Sequence, residues 1–140
     1  MLSGQLALIS AAIFSGAAIY INVAEQPARL ALDDAGLLTE WKLSYARAYT
    51  MQAGLALVSG VLAILAAWQA QDWRWLIGAA CMLANGPWTF LVIMPTNKRL
   101  NDAAIGDAQS RARIKIWGGL HAVRSAFGLV AVAAYAWLLV

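Results

Sequence analysis

The chain has 140 residues, of which 62% are hydrophobic and only 12% charged, with a net charge of +3; its mean hydropathy is +0.66. These shares lie far from those of an average soluble domain and read as a membrane protein, with no length left for a separate soluble catalytic domain. A single cysteine, Cys81, excludes an intramolecular disulfide and supplies too few thiols for a zinc ribbon or an iron–sulfur cluster.

Charge gaps set the predicted elements, because a hydrocarbon core about 30 Å thick takes about 20 apolar residues per helix. The first gap, Met1 to Ala24, has no Lys or Arg ahead of its apolar run, so it reads as a span and not as a secretory leader. The connection that follows, 25–47, contains Trp41 and Tyr45, which recur with Tyr49 just beyond it at intervals of four, the pattern of a helix lying at the membrane surface and feeding the second span. Ala48 to Gln71 is the second gap. Asp72 to Arg74 is a tight turn, which makes spans two and three antiparallel neighbours. Trp75 to Asn97 is the third gap, and the connection 98–115 is expected to be partly helical with a break at Gly106 and Asp107. Ile116 to Val140 is the fourth, interrupted only by Arg124. Runs of this length without period-two alternation exclude barrel strands.

The predicted architecture is therefore all-α, an integral membrane four-helix bundle formed as one unit over residues 1–140. Its spans cover about 2–24, 48–71, 75–97 and 116–139, with both termini on the same side. Connections 25–47 and 98–115 hold eight of the ten Lys and Arg residues (Arg29, Lys42, Arg47, Lys98, Arg99, Arg111, Arg113 and Lys115), against Arg74 alone in the opposite turn. That asymmetry places these two connections in the cytoplasm and both termini outside, in an inner or plasma membrane. It also accounts for the basic balance without a nucleic-acid partner. Trp68, Trp73, Trp75, Tyr135 and Trp137 form the expected outer aromatic belt.

Ionisable side chains within a span cost about 2.5–3.5 kcal/mol each on insertion scales, so they point to a partner, a cavity or a function. Arg124 lies about 12 Å inside the fourth span, and His121, three residues earlier, shares its helical face. Asn22 and Glu25 at the end of span one, and Thr89 and Asn97 in span three, fall in the same inner half of the bilayer; Asn85 lies about 18 Å above Asn97. Together they suggest one polar cavity lined by spans one, three and four. Arg124 would be balanced by Glu25 or by backbone carbonyls freed near Pro87 and Pro95. Plainer readings stand beside this one. Glu25 fits an interfacial position at a helix end, and Asn22, Asn85 and Thr89 fit interhelical hydrogen bonding. Trp88 fits core packing as well as stacking on a flat substrate. One His, one Cys and one candidate intramembrane carboxylate do not make a metal shell, and no GxGxxG, P-loop, CxxC or Ser–His–Asp set occurs. A haem held by His121 alone stays among the alternatives.

Several of these segments resemble the anthrone oxygenase-like membrane proteins. The likeness rests on "NVAEQPARL", on the Trp and Tyr of "EWKLSYARAY", on "NGPWTFLVIMPTNKRL" and on "WGGLHAVR", in the family's order and spacing over nearly the whole chain. The resemblance implies a small four-helix membrane protein that oxidises an anthrone-like, hydrophobic substrate with dioxygen and no evident cofactor. It casts His121 as the base and Arg124, with Asn85 or Asn97, as the clamp on the enolate oxygen. Glu25 would orient His121 or relay the proton, and Trp88 and Trp117 would sandwich the rings, with Asn22 and Thr89 completing the lining. Rival readings are a protein that binds a quinone or haem without turnover, and an accessory or transport subunit, including a homo-oligomeric one. No inverted repeat or broken-helix pair of the transporter kind supports the last.

Overall fold

A computed structural model describes all residues, Met1–Val140. Four helices and no strand make up the fold: α1 Leu2–Leu30, α2 Asp34–Ala70, α3 Trp75–Asp102 and α4 Ala108–Leu139, each long and apolar enough to cross a membrane. Each helix packs mainly on its neighbours in the chain, and α4 closes the ring against α1, an up-down-up-down bundle.

The helices run well past the expected spans. α2 has 37 residues, which at 1.5 Å per residue is about 55 Å, far more than a hydrocarbon core. The surface helix expected over 25–47 is not a separate element: Trp41, Tyr45 and Tyr49 lie on α2 itself, which begins where the Asp33 carboxylate accepts the Gly36 N–H at 2.7 Å. α1 likewise continues to Leu30 and α3 to Asp102, so the connections shrink to 31–33 and 103–107. The reason is a second apolar core at this basic end, where Leu37, Leu38, Trp41, Leu100, Ile114 and Trp117 bury one face of each helical extension. Gly106 and Asp107 do form the break. A Cβ on Gly106 would collide with the Asp34 backbone, and Asp107 starts α4 with a capping box closed by Ser110. Arg111 pairs with Asp34 and donates to the Leu30 carbonyl at 2.9 Å, tying α4 to the α1–α2 connection.

The opposite end is closed by small residues. Ala7, Ala11 and Ala18 of α1 and Ala56, Ala63 and Ala66 of α2 lie in one buried cluster, and the Ser59 hydroxyl donates to the Ala7 carbonyl at 2.9 Å. At the tight turn Gln71 caps α2 in the left-handed conformation, φ 52°, and spans two and three run back as antiparallel neighbours. The expected aromatic belt is only partly right. Trp68, Trp73 and Trp137 are exposed, but Trp75 and Tyr135 are buried and stack at 5.7 Å. Glycines make room for them: the Trp75 ring fills the space a Cβ would need at Gly4, and the Tyr135 ring does so at Gly78.

Two π-helical turns interrupt the regular ladder, Ile21–Glu25 in α1 and Thr89–Ile93 in α3. In each, the residue before a proline reaches five back: the Gln26 N–H donates to the Ile21 carbonyl ahead of Pro27, and the Met94 N–H to the Thr89 carbonyl ahead of Pro95. A proline ring presses on the carbonyl four residues earlier and supplies no donor to it, and widening the preceding turn relieves both problems.

Candidate active site

Between the two apolar cores lies a layer of polar side chains, and the π turns of α1 and α3 open onto it. His121 and Arg124 sit on the inward face of α4, only 2% and 7% exposed. They line one cavity with Ile21 and Glu25 of the first π turn, Thr89 and Ile93 of the second, Asn97 of α3 and Trp117 of α4. Tyr45, Tyr49 and Gln52 of α2 also line it, and Arg29 of α1 with Ser44 and Ala48 of α2 complete the wall. Span two therefore contributes to the cavity, which the sequence assigned to spans one, three and four alone. In this packing the space holds about one water molecule.

The hydrogen bonds around His121 fix its tautomer. The Asn22 amide nitrogen donates to the Gly118 carbonyl at 2.8 Å, which turns the Asn22 oxygen toward the Ser125 hydroxyl at 3.0 Å and His121 Nδ1 at 2.9 Å. An amide oxygen can only accept, so Nδ1 carries a hydrogen; in the neutral ring Nε2 then keeps the lone pair, without a partner in the protein. Close approach of α1 to α4 makes this possible. The neighbouring Gln26 amide donates to the Ile114 carbonyl at 2.8 Å, and its side chain lies where a Cβ on Gly118 would be.

Arg124 has no carboxylate partner. Its Nε approaches the Asn85 oxygen at 3.4 Å and its guanidinium lies 5.5 Å from the Phe14 ring centre, leaving both terminal nitrogens free of protein partners. The carboxylate expected opposite it, Glu25, is ion-paired with Arg29 instead, and Arg29 also meets Glu40 at 2.8 Å. Nor does Arg124 donate to a carbonyl near Pro87 or Pro95; at Pro95 the second π turn already absorbs the distortion.

The other sequence-derived residues divide. Asn85 and Asn97 do not offer their amide N–H groups to a ligand: that of Asn85 returns to the Cys81 and Met82 carbonyls, and that of Asn97 goes to the Tyr45 hydroxyl at 3.1 Å. Trp117 donates to Asn97 at 2.9 Å, stacks on His121 at 4.9 Å and lies under Arg29 at 5.5 Å, so its faces are occupied by protein. Trp88 does not line the cavity of His121 and Arg124. It donates to the Leu120 carbonyl at 3.0 Å and meets Phe127 edge-on, joining α3 to α4. Thr89 lies in the cavity wall with its hydroxyl buried and unpartnered. Gln52, which the sequence reading passed over, is 1% exposed with neither end of its amide satisfied. Its spacing from Tyr45 and Tyr49, seven and three residues, was the available signal. No three His, Cys, Asp or Glu side chains converge as a metal shell would require.

Residues 41–134 match the family model described as anthrone oxygenase. The chain belongs to the anthrone oxygenase family. A protein named anthrone oxygenase from Claviceps purpurea (strain 20.1) is 30% identical over 136 residues, which cover 86% of this chain and 78% of that protein. No solved structure matches the chain. The segment shared with the anthrone oxygenase family runs from Trp41 to beyond Arg124 and so contains the α2, α3 and α4 walls of the cavity.

Proposed function

We propose that the chain is a membrane-embedded oxygenase that oxidises a flat, hydrophobic ketone of the anthrone type with dioxygen. The observation that carries this reading is a histidine with its Nδ1–H held by Asn22 and its Nε2 bare, at a cavity shared with an uncompensated guanidinium. The name of the Claviceps relative supplies the substrate class.

An anthrone has an acidic methylene opposite its carbonyl. His121 Nε2 takes one proton from that carbon, and the electron pair left behind delocalises onto the carbonyl oxygen. The terminal nitrogens of Arg124 face that oxygen, a preorganised positive charge where negative charge develops. The electron-rich enolate reacts directly with dioxygen. A carbon–oxygen bond forms at the deprotonated carbon, the oxygen–oxygen bond then breaks, and the second methylene hydrogen and the proton held on His121 leave with the departing oxygen as water. Methylene plus dioxygen thus becomes carbonyl plus water, a balance that draws on no further oxidant or reductant. Glu25, on the cavity wall and 22% exposed, offers a route for the proton toward the basic end. By the charge asymmetry that end is cytoplasmic in an inner or plasma membrane.

His121→Ala tests the assignment. Conversion of dithranol to its quinone should fall by about a hundredfold or more, the usual worth of a general base, with the helical circular dichroism unchanged. Wild-type turnover in this variant excludes His121 as the base.

A further inference from the structure

A second, roomier cavity of about 190 Å³ lies between α2 and α3. It is lined by Ala53, Ala56 and Leu57 of α2 and by Met82, Leu83 and Phe90 of α3, with Leu57 and Phe90 exposed on the outer face of the bundle. In a bilayer its mouth faces acyl chains, not water. Its inner wall is different in kind. Tyr49 and Thr89 belong to both cavities, and Asn85, whose oxygen approaches Arg124, lies between them. Two buried side chains here lack partners: the Thr89 hydroxyl at the junction, and, on the wall of the inner cavity, the Gln52 amide at both its ends. Leaving such groups unsatisfied costs about 1–3 kcal/mol each, so a ligand or water oxygen that reaches them is bound strongly.

We propose that this lipid-facing chamber is a ring-binding entry subsite, reached sideways from the bilayer, and that Thr89 and Gln52 draw the ligand's oxygen-bearing edge inward before the rings advance to the His121 and Arg124 cavity. This rests on the oxygenase reading for the identity of the ligand, a fused-ring aromatic with one or more carbonyl or hydroxyl oxygens. The division of space supports it. In this packing the inner cavity admits only a water-sized molecule, so the rings are held first in the outer one, which admits their apolar body. Gln52 and Thr89 are then the residues that select an oxygenated ring over a plain hydrocarbon.

Three neighbouring positions on α2 make the test. Ala53→Phe fills the chamber, Gln52→Leu removes the amide at nearly constant volume, and Gly54→Phe adds the same bulk one residue on, at an exposed site where a Cβ meets nothing within 4 Å. Dithranol binding to the protein in lipid nanodiscs is followed under argon by quenching of tryptophan fluorescence, with empty nanodiscs subtracted. The expected result is binding weakened about tenfold by Ala53→Phe and by Gln52→Leu, the size of one lost contact of this kind, and unchanged by Gly54→Phe. Ala53→Leu, a smaller filler, should give an intermediate loss if the Phe variant does not fold. Wild-type affinity in either the filled or the amide-free variant overturns the proposal, as does the absence of dithranol binding to the wild type. Because oxygen is excluded, the expected binding pattern together with no quinone formation in air upholds the subsite and removes the oxygenase reading instead.

Discussion

Under the proposed function, Asn22 decides which nitrogen of His121 acts as the base. Its amide nitrogen is committed to the Gly118 carbonyl and its oxygen to Ser125 and His121, an orientation that does not reverse without opposing donor to donor. Asn22 is a positioning residue, and Asn22→Leu should lower kcat about 10–100-fold, the range seen when a histidine's orienting partner is removed, while KM holds. A purely structural role would lower thermal stability and move KM together with kcat. The deep His121–Arg124 pair was legible in the sequence because a bilayer makes ionisable groups expensive. The partners were not. Glu25 and Arg29 are one turn apart and satisfy each other, and the amides of Asn85 and Asn97 are claimed by a carbonyl of their own helix and by Tyr45; no composition or spacing rule sets these orientations.

At the scale of the element, the prolines explain more than a break would. Pro27 and Pro95 each widen the turn before them, and those turns bring Ile21, Glu25, Thr89 and Ile93 to the cavity wall. The sequence marks the prolines but not how the helix accommodates them. It also marks the start of α4, where Asp107 caps Ser110 at 2.7 Å. The Ser110 N–H, with the Ser110 hydroxyl second, holds the Asp107 carboxyl below its ordinary value of 3.8. A carboxyl whose folded pKa is depressed stabilises the fold fully above its unfolded pKa and loses that contribution as pH falls through the folded value. Asp107→Ala should therefore lower the Tm measured in detergent at pH 7, and the gap to wild type should shrink as pH drops below 3.8. A gap that stays constant to the lowest pH would place the effect elsewhere than in the carboxylate.

The whole molecule is two apolar cores with a polar layer between them. Four charge gaps were enough to give the four helices, since each gap is as long as a bilayer is thick. They could not give the helical extensions, which are stabilised by the second core beyond that thickness, nor the burial of Trp75 and Tyr135, which depends on which glycines face them. The role of α2 was hidden for the same reason: Tyr45 and Tyr49 read as a surface face, and only the packing of α2 against α3 turns them and Gln52 inward. The resulting layer has a buried histidine, an uncompensated cation and an adjoining apolar chamber, which the proposed function reads as base, oxyanion clamp and entry for an enolisable ring. The measurement that tests this most directly follows dithranol with the wild-type protein in nanodiscs, recording oxygen uptake and the quinone spectrum together, under air and then under argon. Quinone formation faster than in empty nanodiscs, with one dioxygen consumed per quinone and none formed under argon, is the expected result; a rate no greater than that of empty nanodiscs would contradict it.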